Sequence, residues 1–187
     1  MVHHALRCVF LMTMWSCQSP LTERDYIDWV EDTRNGLRVV EVREPWVFDI
    51  QFKPKEYDRL KGGNELNHDQ HSTEMAFFEL QIKSTANGAD WLTDGLTHAE
   101  LQQRMYFFSY LFEQHIFLEV DHVRIPCHAF HFERAAYPGL PQRFHVGFEI
   151  GMEKKKTYTL IVDSDFFSTF PLRFRFLPKR LPRLKGK

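Results

Sequence analysis

The chain has 187 residues, of which 43% are hydrophobic and 15% are aromatic. This composition excludes a disordered chain and suits one domain with a substantial core. The formal net charge of -1 excludes the overall basic character of a nucleic-acid-binding protein. The charge is uneven, however, because residues 173–187 contain seven Lys or Arg and no acid.

The first 16 residues have the arrangement of a signal peptide. A basic Arg7 precedes a short apolar run over residues 8–15, and the small Ser16 follows it; this order is typical of cleaved export signals. The run is far below the roughly 20 residues that a membrane-spanning helix needs. We therefore predict a signal peptide over residues 1–16 and no transmembrane anchor.

The segment Met14-Trp15-Ser16-Cys17 resembles the lipobox of bacterial lipoproteins, although Leu is usual in place of Met14 and a small residue in place of Trp15. The resemblance implies that cleavage exposes Cys17, that this cysteine is acylated, and that residues 17–21 form a lipidated tether. The residue after Cys17 is Gln18 and not Asp. In this respect the chain resembles lipoproteins that are passed on to the outer membrane. The alternatives are an ordinary cleaved signal, or a buried apolar N-terminus with an unmodified cysteine.

The rest of the chain resembles small bacterial envelope lipoproteins of unknown function, which have a tether, a short helix and a β-rich body. The residues that carry this resemblance are Trp29 with Asn35-Gly36-Leu37, Gln51-Phe52-Lys53-Pro54, and Pro126-Cys127 with His131-Phe132-Glu133-Arg134. It implies the class of protein and no assigned chemistry.

A short helix opens the predicted body. Thr22 is predicted as the N-cap, with Asp25 three positions on, and Asn35-Gly36 is predicted to end the helix. The following strands are predicted over residues 37–43, 45–52 and 75–83, with a helical turn over 54–61. Two polar loops, over residues 62–74 and 86–97, are the segments that we expect to make contacts.

The stretch from residue 106 to 150 contains eight phenylalanines and is predicted to form the central strands. Alternation over residues 106–112 favours a strand that continues to residue 120 with a bulge near 113–115. The rival interpretation is a helix begun by a capping box of Thr97 and Glu100, with Phe108 and Phe112 on its apolar face. We favour a short helix that passes into a strand.

Two further strands complete this region, over residues 123–132 after a hairpin at Asp121-His122, and over 143–150. Residues 157–162 are expected to pair with 143–150 across 153–156, and residues 172–176 to end the sheet. The predicted fold class is all-β, β-sandwich-like and mostly antiparallel, with one or two short helices. A single domain over residues 22–177 is followed by a basic tail over 178–187.

Histidine and cysteine suggest an alternative, metal-dependent function. The best cluster is Cys127, His128 and His131, joined in one version by His145 or His115 from neighbouring strands; thiolate and imidazole suit zinc or copper. If these residues belong to a single strand, however, Cys127 and His131 lie on one face and His128 lies on the other, so the three cannot bind one metal ion. A buried free thiol with hydrogen-bonded histidines is the simpler interpretation. A weaker set in the polar loop is His68, Asp69 and His71.

The sequence contains no Gly-x-Ser-x-Gly, no His-Glu-x-x-His and no phosphate-binding glycine loop. We therefore expect a binding or structural module and no enzyme, with no cofactor.

The tail is the clearest charge feature of the chain. Its prolines are expected to prevent regular pairing, so that the tail extends from the body, either as a mobile terminus or as a contact to anionic lipid. The cations concerned are Lys179, Arg180, Arg183, Lys185 and Lys187. The expected partners are a membrane, through the N-terminal lipid, and an envelope protein or anionic lipid, but no nucleic acid. The expected location is the cell envelope, at the outer membrane.

Overall fold

The structure is a computed structural model that describes residues 19–62, 74–86, 88–150 and 157–185. The predicted signal peptide, Cys17, the loop residues His68, Asp69 and His71, and Lys187 lie outside the described residues.

Nine strands form two antiparallel sheets within the described residues. In chain order they are β1 (Arg38–Arg43), β2 (Trp46–Lys53), β3 (Glu74–Ser84), β4 (Ile116–Val120), β5 (Val123–Pro126), β6 (Ala129–Glu133), β7 (Gln142–Ile150), β8 (Tyr158–Val162) and β9 (Leu172–Phe176). One sheet has the strand order β1-β2-β3-β7-β6 and the other β5-β4-β8-β9. The all-β, sandwich-like and antiparallel prediction is confirmed.

The core lies between the two sheets, and its buried strand residues come mainly from alternate positions of β2, β3, β4, β7, β8 and β9. Phe48 of β2 contacts Phe174 of β9 with ring centroids 5.1 Å apart, and Phe78 of β3 contacts Phe176 at 5.2 Å. All four rings are fully buried. The aromatic composition thus serves the packing of one sheet on the other, as edge-to-face and tilted ring pairs.

Three short helices lie within the described residues: α1 (Glu23–Glu31), α2 (Lys55–Leu60) and α3 (His98–Tyr106). The predicted N-cap of α1 is confirmed, since the Thr22 side chain accepts from the Asp25 N–H. The helix ends at Glu31, and a 3₁₀ turn, Thr33–Asn35, leads to Gly36. Few helices and many strands agree with the predicted class.

The start of the aromatic stretch confirms the favoured short helix that passes into a strand, but it corrects the point at which the strand begins. The rival helix is right: the capping box of Thr97 and Glu100 is formed, and α3 continues as a π-helical turn (Phe107–Leu111) and a 3₁₀ turn (Phe112–His115) before β4 begins. Phe108 and Phe112 are fully buried, whereas Tyr106 and Tyr110 are 57% and 65% exposed. Pairs four residues apart therefore share a face, which is helical spacing, and neither a strand over 106–112 nor a bulge at 113–115 is present.

Residues 123–132 also differ from the prediction, because they do not form one strand. The hairpin at Asp121-His122 is confirmed, with positive φ at both residues and β5 paired with β4. After Pro126 the chain crosses to the other sheet, where β6 pairs with β7. The three strands expected to be neighbours are divided between the two sheets.

The expected pairing of residues 157–162 with 143–150 is wrong. Strand β8 pairs with β4 and β9, while β7 pairs with β3 and β6. Within the described parts of the chain, no helix is long and apolar enough to cross a membrane.

Candidate functional site

The C-terminal tail returns to Leu21, just before α1, instead of extending from the body as the sequence led us to expect. Leu184 forms a parallel bridge with Leu21. The Leu21 N–H donates to the Arg183 carbonyl at 2.8 Å, and the Lys185 N–H donates to the Leu21 carbonyl at 2.8 Å. The prolines at 178 and 182 exclude a long ladder but leave these two bonds possible, since neither needs a proline N–H.

Hydrophobic burial holds the tail in this place. Leu184 is only 8% exposed and belongs to a second, small core with Tyr26, Val30, Leu37 and Tyr57. Complete burial of a leucine side chain contributes roughly 1.5–3 kcal/mol. Leu184 points into this core, while its neighbours Arg183 and Lys185 are exposed, which is the alternation of a strand.

The beginning of the tail is fixed by a close backbone approach. Gly36 has φ +74°, and a Cβ atom at this position would lie 2.0 Å from the Leu177 carbonyl oxygen. The Lys179 N–H donates to the Asn35 carbonyl at 3.0 Å. Only glycine allows both the left-handed conformation and this approach, so the Asn35-Gly36 turn is shaped to receive the tail.

The tail presents a group of cations, which we call the basic surface. Its members are exposed and none lies within ion-pair distance of a carboxylate among the residues described: Lys179, Arg180, Arg183 and Lys185. Two leucines in the same segment are also exposed, Leu177 at 54% and Leu181 at 38%. The segment therefore combines unpaired positive charge with accessible hydrocarbon.

The Asp32 carboxylate, in the turn after α1, lies close enough to the basic surface to be affected by the charge of Lys179. The pKa of Asp32 is lowered to about 2, mainly by hydrogen bonds from Arg34 and to a small extent by the charge of Lys179. Glu23 and Asp25 are exposed in the first turn of α1. Asp25 accepts a hydrogen bond from the Thr22 hydroxyl at 2.6 Å. Glu23 and Asp25 follow Leu21, which bridges Leu184, by two and four positions, so the start of α1 brings negative charge to the side of the body where the tail lies.

A polar network beneath the tail ties α1 to the large sheet. The Gln51 amide donates to the carbonyls of Val30, Leu37 and Phe52, and the Tyr57 hydroxyl donates to Glu31 at 2.8 Å. Burial acts to raise the pKa of Glu31, but hydrogen bonds from Tyr57 and Lys61 bring it below its usual value. These hydrogen bonds fix the position of α1, whose buried residues Tyr26 and Val30 pack with Leu184 of the tail.

The residues of the metal hypothesis have separate partners in the structure. The Cys127 thiol donates to the Ala129 carbonyl at 3.2 Å, and burial raises its pKa to about 11, which disfavours the thiolate that a metal would bind. His128 lies 3.3 Å from Glu149. His131 stacks on His145 with ring centroids 6.0 Å apart. The Cys127-His128 pair lies between β5 and β6 and is not part of a strand.

His115, the other histidine considered for this cluster, is hydrogen bonded to the Asp163 carbonyl at 2.7 Å. Across the described ranges, no group of three or more His, Cys, Asp or Glu side chains is placed to hold a metal ion.

A cleft of about 250 Å³ lies on the outer face of the large sheet. Its floor is Gly147 beside Phe77: a Cβ on Gly147 would lie 2.8 Å from the Phe77 ring. The walls are the ion pair of Lys53 and Asp58, with 2.5 Å between nitrogen and oxygen, and the stacked His131 and His145. Sequence reasoning missed this cleft; the signal was a glycine in the interior of a strand.

A second cleft, of about 450 Å³, lies on the outer face of the smaller sheet and is lined by Glu119, Asp121, His122, Thr157, Thr159 and Arg175. Glu119 is engaged by Arg173 at 2.5 Å. Both clefts mix charges of both signs, and among the described residues that line them, no nucleophile is within hydrogen-bonding reach of a base.

Comparisons of the chain with protein-family models, with curated proteins and with solved structures find no match in any of the three.

Proposed function

We propose that this chain is a lipid-anchored protein of the cell envelope, held at a membrane through an acylated Cys17, and that it acts as a non-catalytic binding or structural module. The proposed membrane is the outer membrane, on the basis of Gln18. The partners proposed are the bilayer that receives the acyl chains and a second envelope component.

The observation that supports this proposal is the short distance in sequence between Cys17 and Leu21, the residue that the tail contacts. Leu21 is bonded to the tail, and it stands four positions after Cys17, with three residues between them. At roughly 3.3–3.6 Å for each extended residue, such a tether spans at most about 14 Å. Acyl chains on Cys17 would therefore hold the body directly against the membrane surface. An acylated cysteine with several chains anchors a protein stably, because each buried methylene contributes about 0.8 kcal/mol.

A binding or structural role is supported by what the candidate chemical groups do in the fold. The Cys127 thiol, the His115 ring and the His128 ring are each engaged by a local carbonyl or carboxylate. The raised pKa of Cys127, caused by burial, further disfavours a nucleophilic thiolate. These groups contribute to the packing and surface of the body.

The test is incorporation of radiolabelled fatty acid in a bacterial host that processes lipoproteins, followed by membrane fractionation. The wild-type chain is compared with Cys17→Ala and with two matched controls, Cys8→Ala and Cys127→Ala. We expect label and membrane fraction to be lost with Cys17→Ala alone. Unlabelled wild-type protein, beside a labelled control lipoprotein, would refute the anchor; label that survives in Cys17→Ala would refute its position.

A further inference from the structure

We propose that the basic surface, together with the exposed Leu177 and Leu181, docks on the headgroups of an anionic lipid bilayer. This inference relies on the proposed function only for the compartment in which the bilayer is met. The contact itself comes from the folded body and does not require an acylated cysteine.

The first argument is order. The tail is fixed at both ends, by the Lys179 N–H on the Asn35 carbonyl and by the two bonds between Leu21 and the residues beside Leu184. Leu184 is buried between them. The cations are therefore held in place before any contact is made, and less conformational entropy is lost on binding than with a mobile tail.

The second argument is charge. Lys179, Arg180, Arg183 and Lys185 have no carboxylate within ion-pair distance in the described chain, whereas most other arginines of the body do, for example Arg38 with Asp49 and Arg173 with Glu119. Cations left without partners on one segment complement the phosphates of anionic lipids. Each contributes about fivefold to membrane partition at low salt.

The third argument distinguishes a bilayer from an acidic protein. Leu177 and Leu181 are 54% and 38% exposed; Leu177 stands two positions before Lys179, and Leu181 lies between Arg180 and Arg183 in the sequence. Basic side chains with interspersed hydrocarbon are the composition of segments that lie in the headgroup region. The same segment is bonded to Leu21, so an anchor at Cys17 and the basic surface would meet the same membrane.

Acidic residues near the tail weaken the binding of the basic surface to the bilayer. Stable membrane attachment therefore also requires the acyl chains on Cys17. Glu23 and Asp25 are exposed at the start of α1 and oppose binding, while Asp32 is occupied by Arg34. The Asp25 carboxylate accepts a hydrogen bond from the hydroxyl of the N-cap Thr22, so its replacement would disturb the cap and Glu23 is the better position for a test. Its neutralisation should strengthen membrane binding.

The experiment measures co-sedimentation of the full chain carrying Cys17→Ala with vesicles of phosphatidylcholine, with or without about one third phosphatidylglycerol. Phosphatidylcholine alone reports any binding by the apolar N-terminal segment. On anionic vesicles, Arg183→Gln with Lys185→Gln should lower the partition coefficient about 25-fold. The matched control, Lys55→Gln with Arg59→Gln, removes two exposed cations of α2 and should change it less than about twofold.

Two further measurements support or overturn the proposal. Glu23→Gln should raise binding, and added salt should abolish it, because exposed charges are screened within about 10 Å at 0.1 M ionic strength. Equal losses in the tail variant and the α2 control, or equal binding to neutral and anionic vesicles, would overturn the basic surface as a docking site. Since this chain cannot be acylated at Cys17, the vesicle result is independent of the fatty-acid result: either proposal can fail while the other stands.

Discussion

Replacement of Leu184 tests whether the tail is part of the folded body. The side chain is 8% exposed and packs in the small core with Tyr26, Val30 and Tyr57. Leu→Ala substitutions in cores cost about 2–5 kcal/mol, and the cost rises with the cavity that remains. A terminal segment joined by one bridge can relax into the gap. We therefore expect Leu184→Ala to lower the free energy of unfolding by about 2 kcal/mol.

The assay is urea unfolding followed by tryptophan fluorescence, which is suitable because Trp29 packs against the small core. A loss of about 2 kcal/mol should lower the melting temperature of a chain of this size by about 4–8 °C. The matched control is Leu181→Ala, at a leucine of the same segment that is 38% exposed, with an expected loss below about 0.5 kcal/mol. Equal, small losses in both variants would refute the packing of the tail, and the argument for an ordered basic surface would fall with it.

Two other predictions test the turn that receives the tail and the buried thiol. Gly36→Ala should destabilise the fold more than Gly62→Ala: both glycines have positive φ, but only at Gly36 would the new Cβ meet backbone, at 2.0 Å, so the difference in urea midpoint isolates the contact with Leu177. Equal midpoints would contradict this close approach. For Cys127, burial raises the pKa from 9.0 to about 11, so with Cys8 and Cys17 replaced by Ala, alkylation at pH 8 should be roughly ten- to a hundredfold slower in the folded chain than in urea. Because the pKa of Cys127 is higher in the folded chain than in the unfolded chain, the stabilisation linked to the protonated thiol is complete below pH 9 and is lost as the pH rises through about 11. A Cys127→Ala chain should lack this loss of stability. Equal alkylation rates in the folded chain and in urea would contradict the burial of the thiol.

The elements of this protein follow from local chemistry that the sequence displays. The caps of α1 and α3 follow from Thr22 and from the Thr97 and Glu100 pair. A threonine hydroxyl at the start of a helix accepts a hydrogen bond from the N–H three residues on, and this interaction needs no other part of the chain. The hairpin at Asp121-His122 and most strand bounds follow from turn residues and apolar alternation in the same way. Because these interactions span only a few residues, the sequence alone determined the β-rich class and most of its elements.

Pairing across the chain was decided only by the tertiary structure. Residues 106–112 satisfy both a period of two and a period near four, and the buried contacts of Phe108 and Phe112 select the helical one. The division of residues 123–132 between two sheets depends on partners in β4 and β7, which apolar periodicity does not identify. The return of the tail depends on Leu184 finding a core made by α1 and α2 and on Gly36 accepting Leu177. One buried leucine and one glycine, far apart in sequence, thus place the basic surface beside Leu21 and α1, because packing energy is gained only when distant segments meet.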